Sequence, residues 1–450
     1  MLSAFVNAFR TPDLRKKILF TVFIIGIYRL GANLPSPGVS YDRVQACVTA
    51  FEEQQNQGGD ATLGVFTLLN LFSGGALLQL SVFALGIMPY ITASIIMQLL
   101  RVVIPRLETL QKEGQSGQAK ITQYTRYLTL GLAILQASAF VALARSGQLF
   151  GGVQCDNVIP AQVDTGINDW IVVSTLVITM TAGTGVIMWL GELITDRGIG
   201  NGMSMLIFAS IAAALPTEGW RIQQQEGMTA FIVLLGIAVL IITLVIFMEL
   251  GQRRIPVQYA KRMIGRRMYG NTSTYIPLKI NQAGVIPVIF ASSMLYLPQL
   301  GLQFFQSDDP GPVYQWIDQN VALPTSPIYI ISYFLLIIFF TYFYVSITFN
   351  PTDVADNMKK YGGFVPGIRP GKPTADYLDF VLSRITLAGS LYLAVIAVLP
   401  NFFFIYLDNQ QFNNFPFGGT AVLIMVGVGL ESVKQIESQL MQRNYEGFLR

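Results

Sequence analysis

The sequence predicts an all-α polytopic membrane protein with ten transmembrane helices. Hydrophobic residues make up 52% of the 450 residues and charged residues only 12%, about half the ~25% share found in soluble domains. The mean hydropathy is +0.51. Apolar segments recur along the whole chain, many of them close to the ~20 residues that a helix needs to cross a bilayer. The bilayer is therefore the predicted solvent for most of this chain.

Ten apolar segments are predicted to cross the membrane, and they are numbered here in chain order as the first to the tenth span. They occupy residues 18–34, 76–100, 121–144, 170–190, 203–215, 229–248, 285–300, 328–349, 378–399 and 418–433. The fifth and seventh are shorter than a usual span. An even number of spans places both termini on the same side of the membrane.

The distribution of lysine and arginine predicts the orientation. Most of the 29 basic residues lie in the N-terminal segment, the C-terminal segment and the loops on the same side as these two. Loops with this excess are cytoplasmic, so both termini are predicted to be cytoplasmic. Cys47 and Cys155 then lie in outward loops, where a disulfide is chemically allowed. The sequence leaves open whether they form a bridge or remain two free thiols.

The segment of residues 63–72 is too short to be a span. It is apolar, about half the length needed for crossing, and it ends at Gly74 and Gly75, which favour a break in the helix. One interpretation is a helix that lies on the outer leaflet. The other is a movable stopper in a water-filled funnel, since a half-helix at membrane depth must be buried in protein or line a cavity.

Proline predicts further irregularity within the spans. Pro89 falls inside the second span and is expected to kink it, because proline removes a backbone hydrogen bond. Pro287 and Pro298 are expected to bound the seventh span and to leave it deformable.

Two cytoplasmic loops are predicted to form docking surfaces. Residues 251–279 are strongly basic and contain aromatic residues in a pattern that favours a folded hairpin. Residues 361–372 are rich in glycine and proline around Arg369, and such a loop can present one guanidinium in a fixed position. The alternative for the basic residues is that they only maintain the orientation of the spans.

The composition argues against an enzyme and against an ion-coupled transporter. The chain has no histidine, the commonest general base. The segment GIRPGKP fails as a phosphate-binding loop, because Pro366 and Pro373 replace the required glycine and hydroxyl residue. A secondary transporter would favour a carboxylate in the middle of a span, and the spans carry none there. A gated channel without cofactors is the predicted class, because apolar span interiors suit a hydrophobic constriction.

Several motifs make the chain resemble the SecY family of protein-conducting channel subunits over essentially its whole length. They are NLFSGGAL (70–77), FALGIMPYITASIIMQLL (83–100), KEGQSGQAKITQYTRY (112–127), GELITDRGIGNGMS (191–204), GQRRIPVQYAKR (251–262), NQAGVIPVIFASS (281–293), FNPTDVADNMKKYGGFVPGIRPG (349–371) and FGGTAVLI (417–424).

The resemblance implies two inverted five-helix halves around a central pore, residues 1–217 and 218–450, with a plug half-helix at about 62–73. The implied pore ring is Ile87, Ile91, Ile207, Ile286, Ile289 and Ile424. The implied plug residues are Leu63, Val65, Phe66, Leu68, Leu69, Asn70, Phe72, Gly74 and Gly75. The implied lateral gate, between spans two and three and spans seven and eight, contains Thr92, Gln98, Gln136 and Asn281. The implied docking residues, in loops 251–279 and 350–375, are Arg369, Arg253, Arg254, Lys261 and Arg262.

The resemblance also implies partners and a location. The expected partners are SecE and SecG subunits, the SecA motor or a translating ribosome, signal sequences and nascent polypeptides, and membrane lipid. The expected location is the bacterial plasma membrane. The expected activity is passage of unfolded secretory chains and lateral release of hydrophobic segments into the bilayer, without catalysis.

Overall fold

The structure is a computed structural model. It describes residues 9–56, 73–145, 169–259, 262–264, 267–269, 274–304, 311–322, 326–406 and 419–446. The predicted plug residues 63–72 and the predicted docking residue Lys261 lie outside the described residues.

The described chain is mainly helical. In chain order, the helices are α1 (Pro12–Asn33), α2 (Tyr41–Asn56), α3 (Met88–Val103), α4 (Pro105–Lys112), α5 (Gln115–Arg145), α6 (Asp169–Arg197), α7 (Gly202–Leu250), α8 (Ile286–Phe304), α9 (Pro312–Ile317, followed by a π-helical turn at Asp318–Ala322), α10 (Pro327–Thr348), α11 (Pro351–Lys360), α12 (Lys372–Tyr406) and α13 (Gly419–Glu446).

The order of these helices agrees with the order of the predicted spans. Within the described ranges, four helices are long and apolar enough to cross a membrane, and α3 with α4, bent by 104°, adds a fifth if the pair is one span. Shorter apolar stretches at Gly202–Pro216, Leu235–Leu250 and Ile286–Leu295 coincide with the fifth, sixth and seventh predicted spans. The count of ten stays a prediction with which the structure is consistent.

The second span differs from its prediction. Residues 76–87 form consecutive turns, with positive φ at Leu80 (46°) and Gly86 (56°), and helix α3 begins only at Met88. Pro89 therefore lies in the first turn of α3, where its missing N–H would have no partner in the helix. The predicted kink at Pro89 is wrong for this reason.

Two other boundaries differ as well. Helix α8, which corresponds to the predicted seventh span, continues through Pro298 to Phe304. Pro298 therefore lies inside this helix and does not bound it. The predicted loop between the fifth and sixth spans is largely helical, and α7 is interrupted at Gly227, where φ is 83° and ψ is 173°. Only glycine adopts this conformation without strain.

The helices pack in the same neighbour order in the two parts of the chain. Helix α3 packs on α5, α5 on α6, and α6 on α7; likewise α8 packs on α10, α10 on α12, and α12 on α13. Helix α7 also packs on α13. Buried apolar residues from both parts form one central cluster, so the main core lies between the two sets of helices.

The basic loop folds as a hairpin, as predicted. Strands β1 (Gln252–Tyr259) and β4 (Thr274–Lys279) pair antiparallel, with Ile255 opposite Ile276. The shorter strands β2 (Arg262–Ile264) and β3 (Arg267–Tyr269) pair with each other. Strand β5 (Gly363–Phe364) adds to the other edge of β1, which joins the two predicted docking loops in one sheet.

Cys47 is disulfide-bonded, which decides between the alternatives that the sequence leaves open. Cys155 is the only other cysteine in the chain, and it lies outside the described residues. Cys47 is buried on α2 against the second apolar cluster.

Candidate pore and docking surfaces

The six predicted ring isoleucines meet in the central cluster. Ile87, Ile91, Ile207 and Ile424 are among its buried members, and Ile87 and Ile424 are each only 1% exposed. Ile286 and Ile289 are half-buried and pack against the same cluster. The structure thus brings together side chains that are widely separated in sequence.

These isoleucines lie at the beginnings of four helices. Ile87 is the residue before α3, and its carbonyl accepts the N–H of Ile91 at 3.1 Å. Ile286 is the first residue of α8. Ile207 and Ile424 fall in the second turns of α7 and α13. The predicted ring residues therefore lie near the starts of their helices and belong to one apolar cluster.

The side chains of these six isoleucines are apolar and make no hydrogen bonds. An apolar constriction built from such side chains would exclude water and ions by dewetting, and its non-directional contacts would re-form around a segment of any sequence. That these six residues form such a constriction stays a prediction.

Gly74 and Gly75, the last two of the predicted plug residues, form a tight turn. Gly74 and Gly75 both have positive φ, 70° and 89°. The carbonyl of Gly74 accepts a hydrogen bond from the Arg29 guanidinium at 2.9 Å. In the sequence, Arg29 is only a charge near the end of the first span, and its spacing from other residues does not predict this partner.

Two of the predicted lateral-gate residues, Thr92 and Gln98, lie on α3, which contacts α8. Gln136 lies on α5, and Asn281 lies in the turn before α8. Thr92, Gln98 and Gln136 are half-buried, and the Thr92 hydroxyl donates to the Met88 carbonyl at 3.0 Å. Their assignment to a gate stays a prediction.

Asn281 is more buried than the other three gate residues, at 4% exposure. Its side-chain amide donates to Glu249 Oε2 at 2.9 Å and to the Gly284 carbonyl at 3.2 Å. Among the hydrogen bonds of the described residues, none joins Asn281 to Gln98 or Gln136. Asn281 therefore ties the turn before α8 to the end of α7.

Three of the predicted docking arginines, Arg253, Arg254 and Arg369, are exposed. Arg253 and Arg254 project from β1, and the Arg254 guanidinium lies 4.7 Å from the centre of the Tyr275 ring. Arg369 is exposed, and its carbonyl accepts from the Thr374 hydroxyl at 2.8 Å, which fixes the loop at the start of α12. Arg262 lies on β2.

An ion pair between α5 and α6 was missed by sequence reasoning. Arg126 Nε donates to Glu192 Oε1 at 2.9 Å, and its Nη2 donates to Oε2 at 2.6 Å. Bidentate pairs of this geometry are strong and specific. Both residues fall inside motifs of the sequence, but nothing in their spacing shows that they meet.

Fold and site together define a polytopic helical membrane protein in which an apolar cluster lies between two sets of helices. The SecY family profile matches residues 81–433. A protein translocase subunit SecY from Streptomyces galbus is 61% identical over 456 residues, covering 100% of both chains. The chain belongs to the SecY family.

Solved structures show the same fold. One, a SecY channel whose plug domain is described as stabilising the closed state and maintaining a membrane seal, has a TM-score of 0.61 at 19% identity, with 94% of this chain and 91% of that chain covered. Another, the canine Sec61 channel in a ribosome complex from the endoplasmic reticulum, has a TM-score of 0.59 at 18% identity, with the same coverage. These names belong to channels and not to enzymes, in agreement with the prediction from the sequence.

Proposed function

We propose that this chain is the pore-forming subunit of a protein translocase, through which unfolded secretory polypeptides cross the membrane. The observation that carries the proposal is the convergence of six isoleucines from four helices in one cluster between the two sets of helices. Family membership and the named activity of a relative that matches over the full length support it. The constriction opens around a passing chain and closes behind it, without any bond being made or broken.

Sealing and lateral release are assigned to the elements next to the constriction. Residues 62–73 act as the plug, and the contact between α3 and α8 belongs to the lateral gate through which hydrophobic segments enter the bilayer. Thr92, Gln98, Gln136 and Asn281 line this gate. The two halves, residues 1–217 and 218–450, move apart on opening. The glycine break at Gly227 lies ten residues after that boundary and supports a flexible connection there.

The cytoplasmic sheet and the Arg369 loop receive the driving partner, either a SecA motor or a ribosome. Three exposed arginines, Arg253, Arg254 and Arg369, support this assignment. SecE and SecG are the expected companion subunits. The high identity to a Streptomyces relative supports a bacterial plasma membrane location, and the basic loops favour cytoplasmic termini.

Site-specific crosslinking tests the proposal. Photoreactive residues at Ile87 and Ile289, in the chain assembled with its partner subunits, should crosslink to a secretory polypeptide stalled in transit. A probe at Phe247, which lies outside the central cluster on the sixth predicted span and is 77% exposed, is the matched control and should not react. Failure of both ring probes to react while the precursor is engaged would remove the pore from this position.

A further inference from the structure

The two sets of helices meet along two seams that differ in their polar contacts. At the first seam α3 contacts α8, and none of the hydrogen bonds of the described residues joins these two helices. At the second seam the start of α7, with the loop of residues 198–201 before it, meets the last helix, α13. Polar and apolar contacts cross this second seam, and none of the functions proposed above uses them.

The loop of residues 198–201 donates a backbone hydrogen bond to each of two helices. The N–H of Ile199 donates to Thr21 Oγ1 on α1 at 3.2 Å. The next N–H along the chain, that of Gly200, donates to Gln435 Oε1 on α13. Hydrogen bonds of this kind are directional, so the loop fixes α1 and α13 relative to each other. Helix α1 and the loop belong to residues 1–217, and α13 belongs to residues 218–450.

Side-chain contacts strengthen the same junction. Lys17 Nζ on α1 donates to Gln439 Oε1 on α13 at 3.2 Å. Ser432 Oγ on α13 lies 3.3 Å from Met205 Sδ on α7. A small buried apolar cluster, separate from the central one, joins α1, the loop and α13 through Leu14, Ile199 and Ile436.

The loop fits closely because it contains glycine at the points of contact. Gly200 has a φ of 84°, and a Cβ on it would lie 3.2 Å from Ser432 Oγ. A Cβ on Gly198 would lie only 2.6 Å from Thr21 Oγ1. Glycine allows both the positive φ and this close approach. A side chain at either position would therefore push the loop away from α1 or α13.

We propose that these contacts form a staple that keeps the second seam closed while the channel opens, so that hydrophobic segments leave only through the first seam. The staple consists of residues 198–202, Lys17, Thr21, Ser432, Gln435 and Gln439. This inference rests on the proposed channel function. Separating the second seam would leave backbone N–H groups without acceptors, which costs free energy, whereas separating α3 from α8 breaks no hydrogen bond between them. Lateral release is therefore one-sided.

A covalent link across the second seam tests the staple directly. Lys17→Cys and Gln439→Cys are joined by a short bis-maleimide in the chain assembled with its partner subunits. Cys47 is disulfide-bonded and does not compete for the reagent. The linked chain should translocate a secretory precursor within about twofold of the unaltered chain, because a link between groups that stay together in both states shifts no equilibrium.

The matched control is the same link across the first seam. Ile91→Cys on α3 and Ile289→Cys on α8 both lie in or against the central cluster. Linking them should stop translocation relative to the same variant without the reagent, because the proposed opening separates these two helices.

Weakening the staple tests whether it confines lateral release. A precursor is stalled with a photoreactive residue in its hydrophobic segment, and its crosslinks to the channel are mapped by mass spectrometry. In the unaltered chain they should fall on α3 and α8. Gln435→Ala and Gly200→Ala should raise the crosslinks to residues 202–208 and 428–436 about threefold, the population change expected from losing one hydrogen bond within a membrane.

Gly114→Ala is the control for the glycine variant. Gly114 also has a positive φ, 76°, but a Cβ on it would meet no atom of the described residues within 4 Å. Its crosslinks should match those of the unaltered chain. Gln435→Ala leaves the backbone of the loop unchanged, so it tests the staple even if Gly200→Ala fails to fold.

The outcomes separate the staple from the proposed function. If the link between positions 17 and 439 stops translocation as the link between positions 91 and 289 does, the second seam must open and the staple is wrong. The staple is also wrong if Gln435→Ala gives the same crosslinks as Gly114→Ala. If the unaltered chain, correctly assembled, translocates nothing, the channel function itself fails, whatever the links and variants do.

Discussion

The second and seventh spans carry four of the six ring isoleucines, yet the chain leads into them in different ways. Helix α3 follows a run of turns from residue 73 to residue 87, and helix α8 follows only a short turn at residues 281–285. Both helices have a proline, Pro89 and Pro287, in the first turn. The four predicted ring isoleucines on these spans thus lie near the starts of α3 and α8. The segments that precede the two helices differ in length and in chemistry.

The polar side chains that hold these two preceding segments, called here the two anchors, also differ. The segment before α3 is held by Tyr28, Arg29 and Ser210, and the segment before α8 is held by Asn281 against Glu249. The first anchor bonds mainly backbone carbonyls of the turn, and the second joins two side chains. An anchor on backbone carbonyls fixes the path of the turn itself.

The largest effect is expected from a charge reversal far from both spans. Arg369→Glu should reduce motor- or ribosome-driven translocation at least tenfold, because it places a carboxylate where the exposed loop presents a guanidinium. The resting conductance should not change. Translocation assays measure this effect, with Arg43→Glu as control, since Arg43 is an exposed arginine on α2 in a loop that is predicted to face outward. Undiminished transport by Arg369→Glu would remove this loop from the docking site.

A large effect is also expected from wetting the constriction. Replacing Ile87, Ile91 and Ile286 together by serine should raise the resting ion conductance about tenfold or more, because hydroxyl groups allow water to enter a dewetted passage. Planar-bilayer recordings measure it, and the same positions changed to valine are the control. A triple serine variant that remains as tight as the unaltered chain would contradict the ring assignment.

A smaller effect separates the two anchors. Asn281→Ala should lower the free energy of unfolding by about 1–3 kcal/mol, because it leaves the Glu249 carboxylate without its amide donor. Denaturant or thermal unfolding in detergent measures the loss. Thr92→Ala is the comparison, since its hydroxyl bonds only to the helix carbonyl one turn earlier, and it should cost less. Equal losses would show that the Asn281 anchor adds no more stability than a hydrogen bond within one helix.

The smallest effect concerns proline. Pro298→Ala should raise the free energy of unfolding by about 1 kcal/mol, because it restores a hydrogen bond inside α8. Pro89→Ala should change it by less, since Pro89 lies in a first turn. Thermal unfolding of the two variants side by side measures the difference. A larger change at Pro89 would indicate that helix α3 begins before Met88.

Hydropathy alone predicted most of the helices, because apolar length is a direct requirement of the bilayer. It failed at residues 76–87, which are as apolar as a span but have positive φ at Leu80 and Gly86. It also failed at residues 216–226, which lie between two predicted spans but continue the helix as far as the interruption at Gly227. Local backbone conformation of this kind depends on what the segment packs against, which apolar periodicity does not record.

The candidate site likewise has one part that the sequence predicts and another part that it does not. The assignments of the ring isoleucines and docking arginines come from the resemblance of their motifs and stay predictions; the structure places the isoleucines in one cluster and three of the arginines at the surface. The bonds from Tyr28 to Ser210 and from Arg126 to Glu192 were not, because they join residues 182 and 66 positions apart. The spacing of residues along one helix indicates which residues share a face of that helix. It does not indicate which other helix that face packs against.

The pairing of β5 with β1 has a mechanical consequence. Because Gly363–Phe364 pairs with the sheet begun by Gln252–Tyr259, the two loops belong to one sheet that is connected to α7, α8, α11 and α12. If a partner docks on these loops, as proposed above, a push applied to either loop would be delivered to all four helices. The sheet would then act as a lever arm for displacement of a whole set of helices.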